Sequence, residues 1–366
     1  ESILSYEISF VQFYKTMMKL QEIINRVYSF SIYDKEKVYV TEESDLFLNN
    51  KKVAFGIDLD NYDLYKNNTI ICIKNDDTIV GDLVISNKQY LKSSINYNSN
   101  TLILSGDFVL EYPKYSSVYY LFNLLDNSYK EVIRYESLKF ILNTDDNLFL
   151  SNADFITCCN YSCKESIWQF PLHSILNNPH NDNYDKEADW EVKKLIGVLE
   201  GKLWIALNHH TIIALDIATG SLIHQIHTIA NFHCSWLPSA IPLPEATQID
   251  ETTHKLIGFM WEFYWEINPT NGAIQLYDLT NELSSKKIRS DIANFVLTDS
   301  KIYFASHFDS KIEALDRVTK KLTWEYDFQK EEGEEPRIME LQGNENLLGV
   351  LSSQGTLYIF ERDGNT

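Results

Sequence analysis

Thr211-Ile-Ile-Ala-Leu-Asp216-Ile-Ala-Thr-Gly220-Ser-Leu-Ile223 and Lys311-Ile-Glu-Ala-Leu-Asp316-Arg-Val-Thr-Lys320-Lys-Leu-Thr-Trp324 are two copies of one pattern. Each is a short apolar run, a polar segment opened by Asp, and a second run that follows at once. An apolar run of this length bounded by turn residues reads as a buried strand. Asp and Thr can hydrogen-bond their own backbone and Gly tolerates positive φ, so the polar segment reads as a tight turn. Two strands joined by such a turn make a hairpin.

With the polar residue that opens the turn as anchor, the pattern recurs at Asp34, Asn75, Asn123, Asn160, Asp216, Asn268, Asp316 and Glu361, about 47 residues apart on average. Apolar runs precede every anchor except the first, as in Val118-Tyr-Tyr-Leu-Phe122, Phe155-Ile-Thr-Cys-Cys159, Phe263-Tyr-Trp-Glu-Ile267 and Thr356-Leu-Tyr-Ile-Phe360. A further strand starts 12 to 14 residues upstream of the late anchors, at Leu148, Leu203, Leu256, Ile302 and Leu347. That spacing predicts four antiparallel strands per copy.

One small sheet cannot bury its own two faces and has to stack on its neighbours. The repeat therefore predicts an all-β chain, a single β-propeller of four-stranded blades spanning residues 1–366. Seven blades are expected, with eight as the alternative. The last partial copy is expected to close the ring with N-terminal strands, which removes free sheet edges. Residues 1–30 fit the repeat worst: Met17, Met18, Leu20, Ile23 and Ile24 recur at mixed spacing, as in a short helix or a degenerate blade.

The Ala-x-Asp-x-x-Thr-Gly form at Ala214 to Gly220, and Ala314 through Trp324, resemble the repeat of quinoprotein-type (PQQ-like) propellers and are similar to the broader WD40-like group. The resemblance covers about residues 195–360. It implies that Asp, Thr and Gly shape the turn while a Trp, here Trp168 or Trp324, docks one blade on the next. This chain departs from the pattern with His224 in place of Trp, Lys320 in place of Gly, and Asn in place of Asp in several copies. The resemblance speaks for the fold and not for quinone chemistry, and no cofactor is expected.

The net charge of −20 repels phosphate backbones and anionic lipid, which argues against nucleic acid and membrane surfaces as partners. No stretch approaches the roughly 20 apolar residues of a membrane helix, so no membrane insertion is expected. Five cysteines, two of them adjacent at Cys158 and Cys159, read as reduced thiols and favour the cytoplasm. A chain that begins at Glu1 reads as trimmed, which leaves a periplasmic or surface location open.

Antiparallel strands alternate in direction, so turns between the first and second and between the third and fourth strands of a blade share one face. The anchor turns belong there. The long insertions belong to the other face: Pro171 to Trp190, Asn231 to Asp250 and Gln329 to Arg337 between blades, and Ile57 to Asn68 and Gly106 to Ser117 within an early one. Function gathers where insertions collect. These segments are acidic and aromatic, and nominate Asp58, Asp60, Tyr62, Tyr65, Glu111, Tyr112, Asp185, Asp189, Trp190, Trp236, Glu331, Glu332, Glu334 and Glu335 as partner-binding residues. Aromatics give contact area at low entropic cost, and carboxylates select a basic surface.

Other clusters carry less. His209, His210, His224, His227, His233 and Cys234 do not converge as zinc requires, because His209-His210 occupies a turn and His224 and His227 point to opposite strand faces. Cys158, Cys159 and Cys163 lack redox spacing and read as small buried thiols. In Met260-Trp-Glu-Phe-Tyr-Trp-Glu266 the aromatics read as blade packing; Trp261 and Glu262 would reach the loop-rich rim only if the turn falls on them. No catalytic or metal-ligating residue is nominated. The expectation is a non-enzymatic protein-binding propeller for a basic protein partner, in its most concrete form an immunity-type inhibitor of a bacterial toxin. The alternative is an enzyme with a pocket in the central channel, quinoprotein-like or a carbohydrate lyase or hydrolase.

Overall fold

The anchor turns are closed by their own polar side chains. Asp216 Oδ1 accepts from the backbone N–H groups of Ala218 (3.0 Å) and Thr219 (2.9 Å) and from the Thr219 hydroxyl (2.9 Å). The Gly220 N–H returns to the Asp216 carbonyl at 2.8 Å, at a φ of 71° that favours glycine. Asp316 repeats the set with Val318 (3.1 Å) and Thr319 (2.8 Å), and Asn268 keeps the shorter version with Thr270 (2.9 Å). Asn can replace Asp because the turn uses an oxygen acceptor rather than a charge.

In the computed structural model the described residues are 18–33, 35–65, 69–74, 99–103, 108–113, 118–123, 128–134, 138–144, 147–160, 166–175, 190–284, 286, 288, 290–292, 294–306, 310–328 and 336–362. In chain order β1 (Met18–Ile24) comes first. It is followed by one sheet of β2 (Val27–Tyr33), β3 (Glu36–Thr41), β4 (Asp45–Leu48) and β5 (Lys51–Phe55). The pair β6 (Ile57–Tyr65) and β7 (Thr69–Lys74) comes next. A sheet of β8 (Ser99–Ile103), β9 (Phe108–Pro113), β10 (Val118–Asn123) and β11 (Ser128–Arg134) follows. Then stand β12 (Phe140–Asn143), β13 (Asn147–Ser151), β14 (Phe155–Asn160) and β15 (Trp168–Pro171).

The next sheet is β16 (Val192–Leu199), β17 (Lys202–Leu207), β18 (Thr211–Asp216) and β19 (Leu222–Ile226). After it come β20 (Thr247–Asp250), β21 (Lys255–Met260), β22 (Phe263–Ile267) and β23 (Ile274–Asp278), with a short helix α1 (Thr280–Ser284) behind them. β24 (Val296–Leu297), β25 (Lys301–Ser306), β26 (Lys311–Asp316) and β27 (Leu322–Asp327) make the following sheet. The last holds β28 (Ile338–Gly343), β29 (Leu347–Ser352) and β30 (Leu357–Arg362), completed by β1.

Among the described residues there are thus seven four-stranded antiparallel sheets and one two-stranded sheet, β6–β7, which packs against β2 and β3. The all-β propeller of four-stranded blades stands. β1 runs antiparallel to β30 from Met18 opposite Arg362 to Ile24 opposite Leu357, so an N-terminal strand closes the last blade as expected. From Met18 onward the N-terminal segment is strand rather than helix, because its partner in the ladder is remote in sequence; residues 1–17 lie outside the described residues.

The core lies between sheets rather than within one. One apolar cluster joins β12–β15 to β16–β19, a second joins β16–β19 to β20–β23, and a third joins β20–β23 to β24–β27. Two more join the last blade to its neighbours on either side. A middle strand is therefore covered on both faces, which is why Lys202–Leu207 and Thr211–Asp216 are continuous apolar runs without alternation. Trp168 shows how blades dock: its indole N–H donates to the Ile217 carbonyl at 2.8 Å, and its ring lies where a Cβ on Gly220 would be 2.6 Å away. His224 takes the same place over Gly272 in the next pair of blades. Where Lys320 replaces the glycine, its ammonium group reaches Glu266 at 3.1 Å and caps the rings of Tyr264 (4.0 Å) and Tyr277 (4.8 Å).

The described parts of two expected insertions, 57–65 and 108–113, are strands instead. Ile57–Tyr65 is β6, in which Tyr62 and Tyr65 pair with Cys72 and Thr69 of β7 while Asp58 and Asp60 lie in the irregular stretch between the paired residues Ile57 and Tyr62; the rest of that segment, 66–68, lies outside the described residues. Phe108–Pro113 is β9, and Glu111 and Tyr112 pair with Thr101 and Asn100 of β8. In both segments carboxylates interleave with apolar residues, and backbone pairing with a neighbouring strand makes a strand of what the repeat spacing sets apart as an insertion.

Candidate functional site

The face opposite the anchor turns carries the turns between second and third strands and the connectors between blades. The connector from β19 to β20 is folded on itself. Ile229 N–H donates to the Ser239 carbonyl at 2.8 Å, and the Ser239 hydroxyl donates to the Phe232 carbonyl at 2.6 Å. Ile229, Phe232, Leu237, Ala240 and Ile241 are buried against the two flanking sheets, with prolines at 238, 242 and 244 restricting the backbone. Trp236 is the exception: 54% of it is exposed.

Trp236 stands edge-on to Trp261, ring centroids 5.2 Å apart at 73°, and tilted over Phe263 at 5.8 Å. Phe232 supports Phe263 from below at 5.2 Å. Trp261 is at the two-residue turn between β21 and β22, in the left-handed region with φ 54°. Its N–H donates to the Ser290 carbonyl at 2.6 Å and its carbonyl accepts from Ser290 N–H at 3.1 Å, which ties the turn to the connector leading into β24. Glu262 beside it is half-buried, and its carbonyl accepts from Leu279 N–H at 2.8 Å. The turn therefore falls on Trp261 and Glu262 and takes both to the loop-rich rim, while Phe263 and Trp265 remain in the core.

The surface continues through the preceding blade. His209 and His210 form the turn between β17 and β18 at φ 54° and 56°. His210 Nδ1 lies 2.9 Å from the Ile241 carbonyl, and His209 is edge-on to Trp190 at 5.6 Å. Trp190 Nε1–H donates to the Ile175 carbonyl at 3.1 Å, so it braces the connector between β15 and β16. Ile175, Trp190, His209, His210 and Ile241 form one run of contacts and Trp236, Trp261 and Ser290 another, and Ile241 and Trp236 belong to the same folded connector, so the two runs make one line across consecutive blades.

Of the nominated partner-binding residues, Trp190 and Trp236 are on this line. Asp58, Asp60, Tyr62, Tyr65, Glu111 and Tyr112 are strand residues elsewhere. Asp185, Asp189, Glu331, Glu332, Glu334 and Glu335 lie outside the described residues. Sequence reasoning gave Trp261 and Glu262 a conditional place and had no signal for Ser290, whose part is played by its backbone. Among the described residues no group of three His, Cys, Asp or Glu side chains is arranged to hold a metal ion. Cys158 is wholly buried, and burial pushes its thiol up to about 12, the state of an inert structural cysteine. No helix among the described residues is long and apolar enough to cross a membrane.

No family model and no curated protein matches the chain. Solved structures do match in fold. BamB from Moraxella catarrhalis superposes with a TM-score of 0.57 at 12% identity over 94% of this chain and 100% of that one. The β-propeller domain of Myceliophteria thermophila Cps50 (Swd1) gives 0.51 at 10% identity over 94% and 99%. The computationally designed protein Ika8 gives 0.54 at 10% identity over 92% and 96%. Identities this low speak for the β-propeller architecture alone.

Proposed function

We propose that this chain is a non-enzymatic binding module that holds a basic protein on its loop-rich face, and that its specific role is that of an immunity-type inhibitor covering a bacterial toxin. The observation that carries the reading is a pair of contact runs, one from Ile175 through Trp190 and His209-His210 to Ile241 and the other from Trp236 through Trp261 to Ser290, which meet in the folded connector between β19 and β20. A propeller presents such a surface as a rigid platform, because every contributing loop is rooted in a buried sheet. The net charge of −20 and the carboxylates in the connecting segments favour a cationic partner and faster encounter with it.

The test is co-expression with the product of the adjacent gene, followed by calorimetry on the purified pair. Trp190→Ala is expected to weaken binding at least tenfold, as truncation of an aromatic anchor does. Replacing Asp185, Asp189, Glu331, Glu332, Glu334 and Glu335 by their amides is expected to slow association and flatten its dependence on salt. A complex whose affinity is unchanged by both sets removes this face from the interaction.

A further inference from the structure

This chain already contains a filled cation site, and it shows what an unfilled one would need. On the anchor-turn face the ammonium group of Lys320 lies 4.0 Å above the Tyr264 ring and 4.8 Å above Tyr277, with the Glu266 carboxylate at 3.1 Å. Two aromatic rings and one carboxylate hold one cation. The negative face of each ring attracts the positive charge and the carboxylate completes the pairing.

The same strand and turn carry the same components to the opposite face. Trp261 and Trp236 present two indole rings, Trp236 more than half exposed, and Glu262 adjoins Trp261 in the turn. Among the described residues the Glu262 side chain makes no hydrogen bond or ion pair, and no lysine or arginine caps either indole. The ledge is rigid. Phe263 and Phe232 pack beneath it, and the two hydrogen bonds between Trp261 and Ser290 hold the turn. A negatively charged protein thus presents, on its loop-rich face, an aromatic pair with a carboxylate next in the turn and no cation from the described residues over it.

We propose that the Trp236–Trp261 ledge with Glu262 is the seat for one arginine side chain of a partner protein. Indole is the strongest aromatic acceptor for a cation, and a planar guanidinium can stack on the ring while its N–H groups reach a neighbouring carboxylate, which a compact ammonium cannot do as well. A second copy of this chain is the poorer occupant, since each copy carries a net charge of −20. The inference rests on the reading of this face as a partner surface and names the group that the face would recognise.

The full-length protein, labelled with 15N, is titrated with N-acetyl-arginine methylamide, with the lysine analogue, and with the citrulline analogue, which has the same shape without the charge. The indole N–H signals are followed. The expected result is saturable shifts at the Trp236 and Trp261 signals, with the arginine probe binding about fivefold more tightly than the citrulline probe. Trp236→Ala abolishes the response, and Glu262→Gln weakens arginine binding severalfold while leaving citrulline unchanged. Because Glu262 is a rim residue whose side chain holds no other group among the described residues, its amide variant keeps the test independent of folding. Equal affinity for arginine and citrulline overturns the proposal, and so does a lysine probe that binds more tightly than arginine. A basic partner bound through the acidic connectors with undiminished affinity by Trp236→Ala overturns this inference and leaves the proposed function standing. An intact arginine response without any basic partner does the reverse.

Discussion

Glu313 offers the sharpest quantitative prediction. It lies on the third strand of its blade, fully buried, and neither carboxylate oxygen is hydrogen-bonded among the described residues. Its cross-strand neighbour is Glu325, whose carboxylate is paired with Lys286 from the connector after α1. Burial pushes the Glu313 carboxyl from 4.5 up to about 7; the Glu325 charge adds to this, and Lys286 and Lys311 oppose it. The native state therefore holds a proton more tightly than the unfolded chain does. Stability contributed by the protonated form is fully present below pH 4.5, declines as pH rises, and is gone above about pH 7.

At about 1.4 kcal/mol for each tenfold change in proton affinity, the loss amounts to about 3 kcal/mol. Glu313→Gln keeps the shape of the protonated side chain and carries no proton to lose. Relative to wild type, its stability is expected to change little at pH 4.5 and to rise by about 3 kcal/mol between pH 4.5 and 7, then to level off. Urea denaturation of both proteins across pH 4 to 8, followed by tryptophan fluorescence, measures that difference. Every other titrating group is common to the two proteins and cancels. A difference independent of pH, or one that favours wild type as pH rises, would show that Glu313 is ionised and compensated in the native protein.

Two further predictions concern the joints between blades. Trp168→Ala removes an indole packed on Gly220 and bonded to Ile217, and is expected to cost about 3–5 kcal/mol; Gly220→Ala, which combines φ of 71° with a Cβ 2.6 Å from the ring, should also destabilise, and a urea midpoint unchanged in either variant would contradict the docking role. Asp250 and Arg317 form an ion pair between neighbouring blades with side chains 5% and 7% exposed, so Asp250→Ala alone should cost about 3–5 kcal/mol, and considerably less when Arg317→Met accompanies it. Additive costs in the double variant would mean that the two side chains act independently.

The elements legible from the chain were those whose determinants are close in sequence. Asp216, Thr219 and Gly220 close their turn within five residues, and the same chemistry exposed the copies at Asn268 and Asp316. Trp168 could be recognised as a docking residue because the repeat assigns it a place. The strands β6 and β9 were expected as insertions because they stretch the early copies of the repeat, whereas their pairing with β7 and with β8 and β10 depends on neighbouring strands. Trp261 stood at a position where a shift of one residue in the turn separates a core side chain from a rim side chain. Its bridge to Ser290, 29 residues later, selects the rim.

The amino-acid sequence by itself determined the repeat, the polar turns, the apolar middle strands and the negative charge, since each is a property of a few adjacent residues or of the whole composition. The tertiary structure alone decided that Trp236 meets Trp261, that His210 meets Ile241, and that Glu313 is buried beside Glu325 with no hydrogen bond to its carboxylate among the described residues. Those contacts join residues of different blades or bury one blade against the next. They follow from the stacking of sheets on both faces, which no single copy of the repeat encodes.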